Sequence, residues 1–221
     1  MNKLIEKLWD EGKKIIQFND LSEIAQSIYY NYKNMINYLV RTKQIIKIYR
    51  DYYYIKDIKE IQAKNFLTYT PLELLSKVLE MEFIQPYYFG LYTSFRKFNV
   101  STKNHPEEYL ICSKIPHDRS EIKLLGKKIH VIKLSEEICG FGIVNDKVKY
   151  SYLEKTILDF AYIWKMNGAK AHKITKILQQ YKERISIQKI LNYSSNYPKD
   201  ISHIIEEAFN NENFKEKLAI F

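Results

Sequence analysis

The sequence predicts an α+β protein, because helical and strand patterns occupy different stretches of its 221 residues. Apolar residues recur at helical spacing over 20–41 and again over 70–81. β-Branched and aromatic residues dominate 42–56 and 108–149, where the apolar pattern shortens toward the alternation of a half-buried strand. We expect a hairpin in the first of these stretches and a small, largely antiparallel sheet in the second.

The N-terminal segment begins with a helix, a strand and a second helix. Leu4, Leu8 and their neighbours form an amphipathic helix over 2–14, and 15–18 is a short strand that could add to the hairpin. Asp20 can cap the second helix, because Glu23 lies three residues later and completes a capping box. The short helix after Asp20 would then precede a longer one.

The next helix opens near Tyr30 and buries a stripe at i, i+3, i+4 and i+7 spacing. The hairpin that follows turns at Arg50-Asp51, where aspartate tolerates the left-handed conformation. Helix, strand, helix, helix and hairpin is the order of a winged helix-turn-helix. We therefore predict a DNA-binding domain of this kind over 1–57.

The side chains outside the buried stripe suit contact with DNA. Asparagine can pair bidentately with adenine, and lysine and arginine can reach guanine or phosphate. Four basic residues on the hairpin, or wing, could lie along the phosphates. The predicted DNA-binding residues are Tyr30, Asn31, Lys33, Asn34, Asn37, Tyr38, Arg41, Lys43, Lys47, Arg50 and Lys56.

Charge supports an anionic partner for this segment without identifying it. The chain has a formal net charge of +9, and between Tyr29 and Lys59 seven basic residues face only Asp51 and Asp57. A solvated basic face, or a winged helix that serves as a protein-interaction module, would show the same surplus. Both alternatives remain open on the sequence.

After a linker over 58–69, we expect an α+β C-terminal domain over 70–221. Thr70, Pro71 and Glu73 form a strong helix start. The aromatic stretch 83–98 is interpreted as another helix, either buried or a platform for base stacking, and Gly90 within it indicates close packing.

The C-terminal part of this domain is predicted to be helical and basic. Ser151 and Glu154 have the spacing of a capping box, and Asn167-Gly168 would end the helix that they open. From about residue 166 the tail carries an excess of lysine and arginine. This excess indicates either a second anion-facing surface or an ordinary solvated helix face.

The sequence contains no pattern of catalytic or cofactor-binding residues, so we expect no enzyme and no cofactor. It lacks a phosphate-binding loop, a dinucleotide fingerprint and a nucleophile elbow. Asp118, Glu121 and Lys123 resemble the carboxylates and lysine of a metal-dependent nuclease, but their acids are too close in sequence for the usual arrangement. Cys112 and Cys139 match no zinc spacing, so we expect two buried apolar side chains and no metal.

No signal peptide is expected at the N-terminus. The amphipathic N-terminus lacks an uninterrupted apolar core, and no run of about 18 apolar residues could span a membrane. We therefore expect a cytoplasmic protein with no membrane partner.

Three stretches resemble one family, the AbiEi-type antitoxins and transcriptional regulators of type IV toxin–antitoxin systems. Residues 39–55 resemble its basic wing, although Gln44 and Asp51 stand where the family has glycine. Residues 86–95 resemble its aromatic helix, and Glu154-Lys155-Thr156 with Asp159 resembles its "Glu-Lys-Thr-Leu-Leu-Asp" helix start.

The resemblance implies a regulator that binds double-stranded DNA and represses its own operon. It also implies a functional pairing with a nucleotidyltransferase-like toxin, without a stable complex between the two proteins. The N-terminal domain would contact DNA and the C-terminal domain would provide the antitoxin activity. The resemblance defines neither the operator nor the oligomeric state.

Overall fold

Helices and two β-sheets make up the protein, as a computed structural model of residues 2–63, 66–100, 105–114 and 120–209 shows. This confirms the α+β class. The chain divides into two compact units, 1–84 with 122–127 and 85–121 with 128–221. The boundary that we predicted at residue 70 therefore differs from this division, because the first unit continues through the predicted linker and the helix after it.

The first unit contains a three-stranded antiparallel sheet with helices before, between and after its strands. Its sheet has the order β1-β3-β2, so β3 lies in the centre and all four of its residues are buried. The core combines the apolar faces of the first three helices with this sheet. The elements are α1 (Lys3–Asp10), β1 (Ile15–Gln17), α2 (Phe18–Gln26), α3 (Tyr32–Arg41), β2 (Ile45–Lys47), β3 (Tyr52–Ile55), α4 (Ile58–Gln62) and α5 (Pro71–Met81).

Two local predictions for this unit are wrong. Helix α2 begins at Phe18 directly after β1, so Asp20 lies inside its first turn and does not cap it. An acidic side chain at that place still interacts favourably with the positive end of the helix dipole. At the hairpin turn, Arg50 and not Asp51 adopts the left-handed conformation, with φ of 50°.

Capping boxes start both α4 and α5. Asp57 and Glu60 exchange backbone and side-chain hydrogen bonds at the start of α4, which lies in the predicted linker. Thr70 and Glu73 do the same for α5, with Pro71 in the first turn, which confirms the predicted start of that helix.

Glu60 also forms a buried hydrogen-bond network that the sequence did not indicate. Its carboxylate is completely buried and accepts hydrogen bonds from the Tyr54 hydroxyl at 2.7 Å and from the Asp57 amide at 2.9 Å. The Thr68 amide donates a further hydrogen bond. Burial alone would raise the pKa of Glu60, but these donors outweigh it and hold the pKa below its ordinary value.

We expect Glu60→Gln to lower the free energy of unfolding by about 2 kcal/mol at pH 7, because an amide replaces a hydrogen-bonded buried carboxylate. The pKa of Glu60 is lower in the folded protein than its ordinary 4.5. Its stabilisation is therefore present above that pH and is lost as the pH falls through the folded pKa. Urea titrations at pH 7 and pH 3 should show the wild type and the variant converging at acid pH. An equal difference at both pH values would contradict this account.

The second β-sheet is mixed, with six strands in the order β6-β7-β5-β4-β9-β8. The pairs β5–β7 and β4–β9 are parallel, whereas β4–β5 and β8–β9 are antiparallel. The sheet that we predicted to be largely antiparallel is therefore mixed, since two of these four pairings are parallel. The strands are β4 (Tyr87–Phe89), β5 (Glu108–Cys112), β6 (Glu121–Leu124), β7 (Lys127–Lys133), β8 (Ile143–Val144) and β9 (Tyr150–Ser151).

The predicted helix over 83–98 is also wrong. Its first half contains β4, which is buried along its whole length, and only Tyr92–Lys97 forms a helix, α6. A strand covered on both faces is apolar at every position, so its pattern is ambiguous with that of a buried helix. The close packing inferred at Gly90 is present, since a Cβ there would lie 2.7 Å from Ile111 Cδ1.

Helices complete the second unit. Helix α8 ends as predicted at Asn167-Gly168, but its start has no side-chain cap, so the capping box at Ser151 is wrong. The Ser151 hydroxyl instead bonds those of Ser94 and Thr156 inside the core. The helices are α7 (Glu136–Cys139), α8 (Leu153–Met166), α9 (Ala171–Gln179), α10 (Ile187–Ser194) and α11 (Lys199–Phe209). The predicted continuation of the last helix to residue 218 lies outside the described residues. Among those described, no helix has the length and apolar character needed to cross a membrane.

Candidate nucleic-acid interface

Helix α3 buries one side and exposes the other. Ile36 and Leu39 lie in the core of the first unit, with Tyr32 and Met35 half-buried beside them. The opposite side is polar, basic and exposed. We call this side, with the two residues before the helix, the α3 face. Its exposed members are Tyr30, Asn31, Lys33, Asn34, Asn37, Tyr38 and Arg41.

Local hydrogen bonds end α3 and turn the chain into β2. The Thr42 hydroxyl donates to the carbonyl of Tyr38 at 2.9 Å. Lys43 adopts the left-handed conformation, with φ of 56°, and the amide of Gln44 bonds the carbonyl of Leu39 at 3.0 Å. This geometry resembles the helix ending at which glycine is usually found. Lys43 is exposed, as is Lys47 at the end of β2.

We expect Lys43→Gly to raise the free energy of unfolding by about 1 kcal/mol, because a side chain is unfavourable at this positive φ. A thermal or urea unfolding experiment measures the change. Lys43→Ala serves as a control, since it removes the same charge but keeps a Cβ. Equal stability of the glycine and alanine variants would show that backbone strain at this residue is negligible.

Arg50 does not face solvent in the way that the sequence suggested. Its guanidinium is half-buried, donates to Glu82 Oε2 at 2.7 Å and lies 5.5 Å from the centre of the Tyr49 ring. Glu82 also bonds Tyr52, whose pKa rises to about 12 through burial and that hydrogen bond. Because Glu82 follows α5, Arg50 fastens the hairpin turn to the end of that helix. Its assignment as an outward phosphate contact is therefore corrected.

The predicted role of Lys56 as a phosphate contact is also corrected. Lys56 is only 9 % exposed, so it does not line the outer surface of the wing. Its carbonyl accepts a hydrogen bond from Trp9 Nε1 at 2.9 Å, and its amide donates to Gln44 at 3.1 Å. The residue directly follows the central strand β3, which is covered on both faces. The sequence predicted the hairpin and a short strand beside it, but not that β3 and the residue after it would be buried.

The remaining basic side chains of this region form no ion pair with any carboxylate that the structure describes. Within the described ranges, no carboxylate lies at ion-pair distance from Lys33, Arg41, Lys43 or Lys47. Two of them lie near aromatic rings, Lys33 over Tyr32 at 5.9 Å and Lys47 over Tyr53 at 5.8 Å. Exposed lysines without partners are available to an external anion such as phosphate.

The second unit contains a polar cluster in its buried interior. Lys155 and Asp159 are both completely buried, and their Nζ and Oδ1 atoms lie 2.7 Å apart. Lys155 also donates to the hydroxyls of Tyr88 at 2.9 Å and Tyr197 at 2.8 Å, and both hydroxyls donate in turn to Asp159. Thus all three ammonium protons have partners. Burial lowers the pKa of Lys155, and the adjacent carboxylate opposes that shift.

Glu154 contacts the segment that leads into α10. Its carboxylate accepts from the Ser186 amide at 3.1 Å and pairs with Lys189 at 3.2 Å. Glu154 therefore joins α8 to the start of α10, whereas Lys155 and Asp159 join α8 to β4 and to the turn at Tyr197.

Metal-binding geometry is not found in the described part of the chain. No group of three or more His, Cys, Asp or Glu there could hold a metal ion. Asp118 of the nuclease-like pattern lies outside the described residues, while Glu121 pairs with Lys128 at 3.1 Å. Cys112 and Cys139 are buried, as predicted, and burial raises the pKa of each thiol to about 12.

No protein-family model matches this chain, and no curated protein matches it either. The functional assignment therefore depends on the geometry and charge of the residues themselves.

Proposed function

We propose that the protein is a DNA-binding transcriptional regulator whose N-terminal residues form a winged helix-turn-helix. The observation that carries the proposal is the exposed α3 face, whose asparagines and unpaired basic residues stand opposite a buried apolar stripe. The order α1-β1-α2-α3-β2-β3, with β1 paired to β3, supports the same domain type.

The dimensions of α3 suit the major groove. Its ten residues give a helix about 15 Å long, and a groove about 12 Å wide admits one α-helix. Asn34 and Asn37 are three residues apart and share its outer side, so both can reach base edges. Lys43 and Lys47 lie beyond the helix, where contact with phosphates would set position but not sequence choice.

We further propose that the protein is an antitoxin of the type IV class that represses its own operon. The resemblance of the wing and of the Glu154–Asp159 stretch to that family supports this. The second unit would then counter a nucleotidyltransferase-like toxin without forming a stable complex with it. Growth rescue in cells that express a nucleotidyltransferase from the neighbouring reading frame tests this part of the proposal.

Binding to the DNA upstream of the protein's own reading frame tests the regulatory role. Fluorescence anisotropy at about 0.15 M salt should give an affinity at least a thousandfold tighter than for a shuffled duplex of equal composition. Equal affinity for both duplexes would leave a non-specific DNA-binding protein. No binding to either would instead favour a protein-interaction module in which the winged helix is structural.

A further inference from the structure

A polar cleft lies at one edge of the sheet in the second unit. Strands β5 and β7 are parallel neighbours, with Cys112 opposite Lys133, so both end at this edge. The cleft there has a volume of about 410 Å³, which is within the range of small-molecule sites. Ligands of open sheets that contain parallel strands often bind at such carboxyl ends.

Ser113 lines this cleft and has a buried hydroxyl that finds no hydrogen-bond partner among the described residues. The residue follows β5, lines the cleft and is only 7 % exposed. Its amide donates to the carbonyl of Pro86 at 3.3 Å, but within the described residues its Oγ has no hydrogen-bond partner. Buried hydroxyls are normally paired, so an unpaired one in a residue that lines a cleft indicates a ligand atom or a water.

Basic side chains flank the same cleft. Lys114 and Lys133 both line it and both are exposed. Lys114 pairs with Glu136 at 3.4 Å, whereas no carboxylate of the described residues lies within ion-pair distance of Lys133. An ammonium without a partner beside a free hydroxyl donor suits the oxygens of a phosphate group.

Two further lining residues offer a surface for an organic group. Tyr162 and Met166 project there from α8, and Met166 is 66 % exposed. An aromatic ring and a thioether offer an apolar surface to the part of a ligand that carries no charge. The lining of the cleft thus combines anion donors with apolar atoms.

We propose that this cleft binds a small organic phosphate monoester, with Ser113 and Lys133 as the groups that contact the phosphate. Ser113 donates its free hydroxyl proton to a phosphate oxygen, Lys133 supplies the charge, and Tyr162 packs against the organic part. This site is separate from the α3 face, and it stands whether or not the protein binds DNA.

Isothermal titration of the full chain with adenosine 5′-monophosphate, adenosine and inorganic phosphate, at constant ionic strength, tests the proposal. The monophosphate should bind at least about tenfold more tightly than adenosine, since only it satisfies Ser113 and Lys133. Ser113→Ala and Lys133→Met should each weaken it by about tenfold. Glu136→Gln should tighten it, because a repelling carboxylate is removed.

The serine variant separates a binding effect from a folding effect. Removal of an unpaired buried hydroxyl should leave the unfolding midpoint unchanged or raised, so weaker binding would report on the site. Lys147→Met, at an exposed turn of the same unit, is the matched charge control and should bind like the wild type. Equal binding of the monophosphate by the wild type, Ser113→Ala and Lys133→Met would overturn the proposal. The proposal would also fail if none of the three probes saturated the wild-type protein at concentrations of about 10 mM, roughly the weakest affinity expected of a specific site.

Discussion

Lys155→Met is expected to lower the free energy of unfolding by about 3–5 kcal/mol, the largest effect of any single change considered. The substitution keeps an unbranched side chain of similar length, so packing changes little. It leaves the Asp159 carboxylate completely buried without its counter-ion, with only the hydroxyls of Tyr88 and Tyr197 as partners. Urea unfolding followed by circular dichroism measures the loss.

Two controls separate the effect of an unpaired buried charge from the effect of losing a lysine side chain. The double variant Lys155→Met with Asp159→Leu removes both charges and should recover most of the lost stability, because buried ion pairs are often replaceable by apolar residues. Lys173→Met removes an exposed lysine of α9 and should change stability by less than about 0.5 kcal/mol. A Lys155→Met protein as stable as Lys173→Met would contradict an ionised, mutually dependent pair.

Asn34→Ala and Asn37→Ala are each expected to reduce discrimination between the upstream DNA and single-base variants of it. A bidentate contact between asparagine and adenine contributes about 1–3 kcal/mol of discrimination, equivalent to roughly five- to 150-fold. Affinity for shuffled DNA should change little, because phosphate contacts remain. Competition binding over a set of single-base variants would locate the base pair that each asparagine contacts.

Asn192→Ala provides the matched control for these variants. Asn192 is an exposed asparagine on α10 in the second unit. Its removal should leave every affinity unchanged. If the α3 variants kept the wild-type ranking of sites, another element would have to read the sequence.

Regular elements with strong local signals could be predicted from the sequence. The Thr70–Glu73 capping box and the Asn167-Gly168 helix end act within one turn, so neighbouring residues suffice to define them. The exposed side of α3 was likewise visible, because helical periodicity separates it from Ile36 and Leu39. These features depend on interactions between residues close in sequence.

Features that depend on distant partners were missed. Lys155 and Asp159 have the i,i+4 spacing of an ordinary surface pair, and only Tyr88 and Tyr197, 71 and 38 residues away from Asp159, show that they are buried. Arg50 looked like a free wing residue until Glu82, 32 residues later, was found at its guanidinium. Long-range contacts of this kind leave no periodic pattern in a single sequence.

The salt dependence of DNA binding tests most directly whether the N-terminal basic residues contact DNA. The affinity for the upstream duplex should be measured between 50 and 300 mM salt, roughly the range in which counterion release is resolved, for the wild type and two matched double variants. Lys43→Ala with Lys47→Ala should reduce the slope of log affinity against log salt by about 2, the value for two lost phosphate contacts. Lys173→Ala with Lys176→Ala removes the same charge from the exposed face of α9 and should leave the slope unchanged. If only the α9 variant altered the slope, our account would be contradicted, and the DNA contact would have to lie in the second unit.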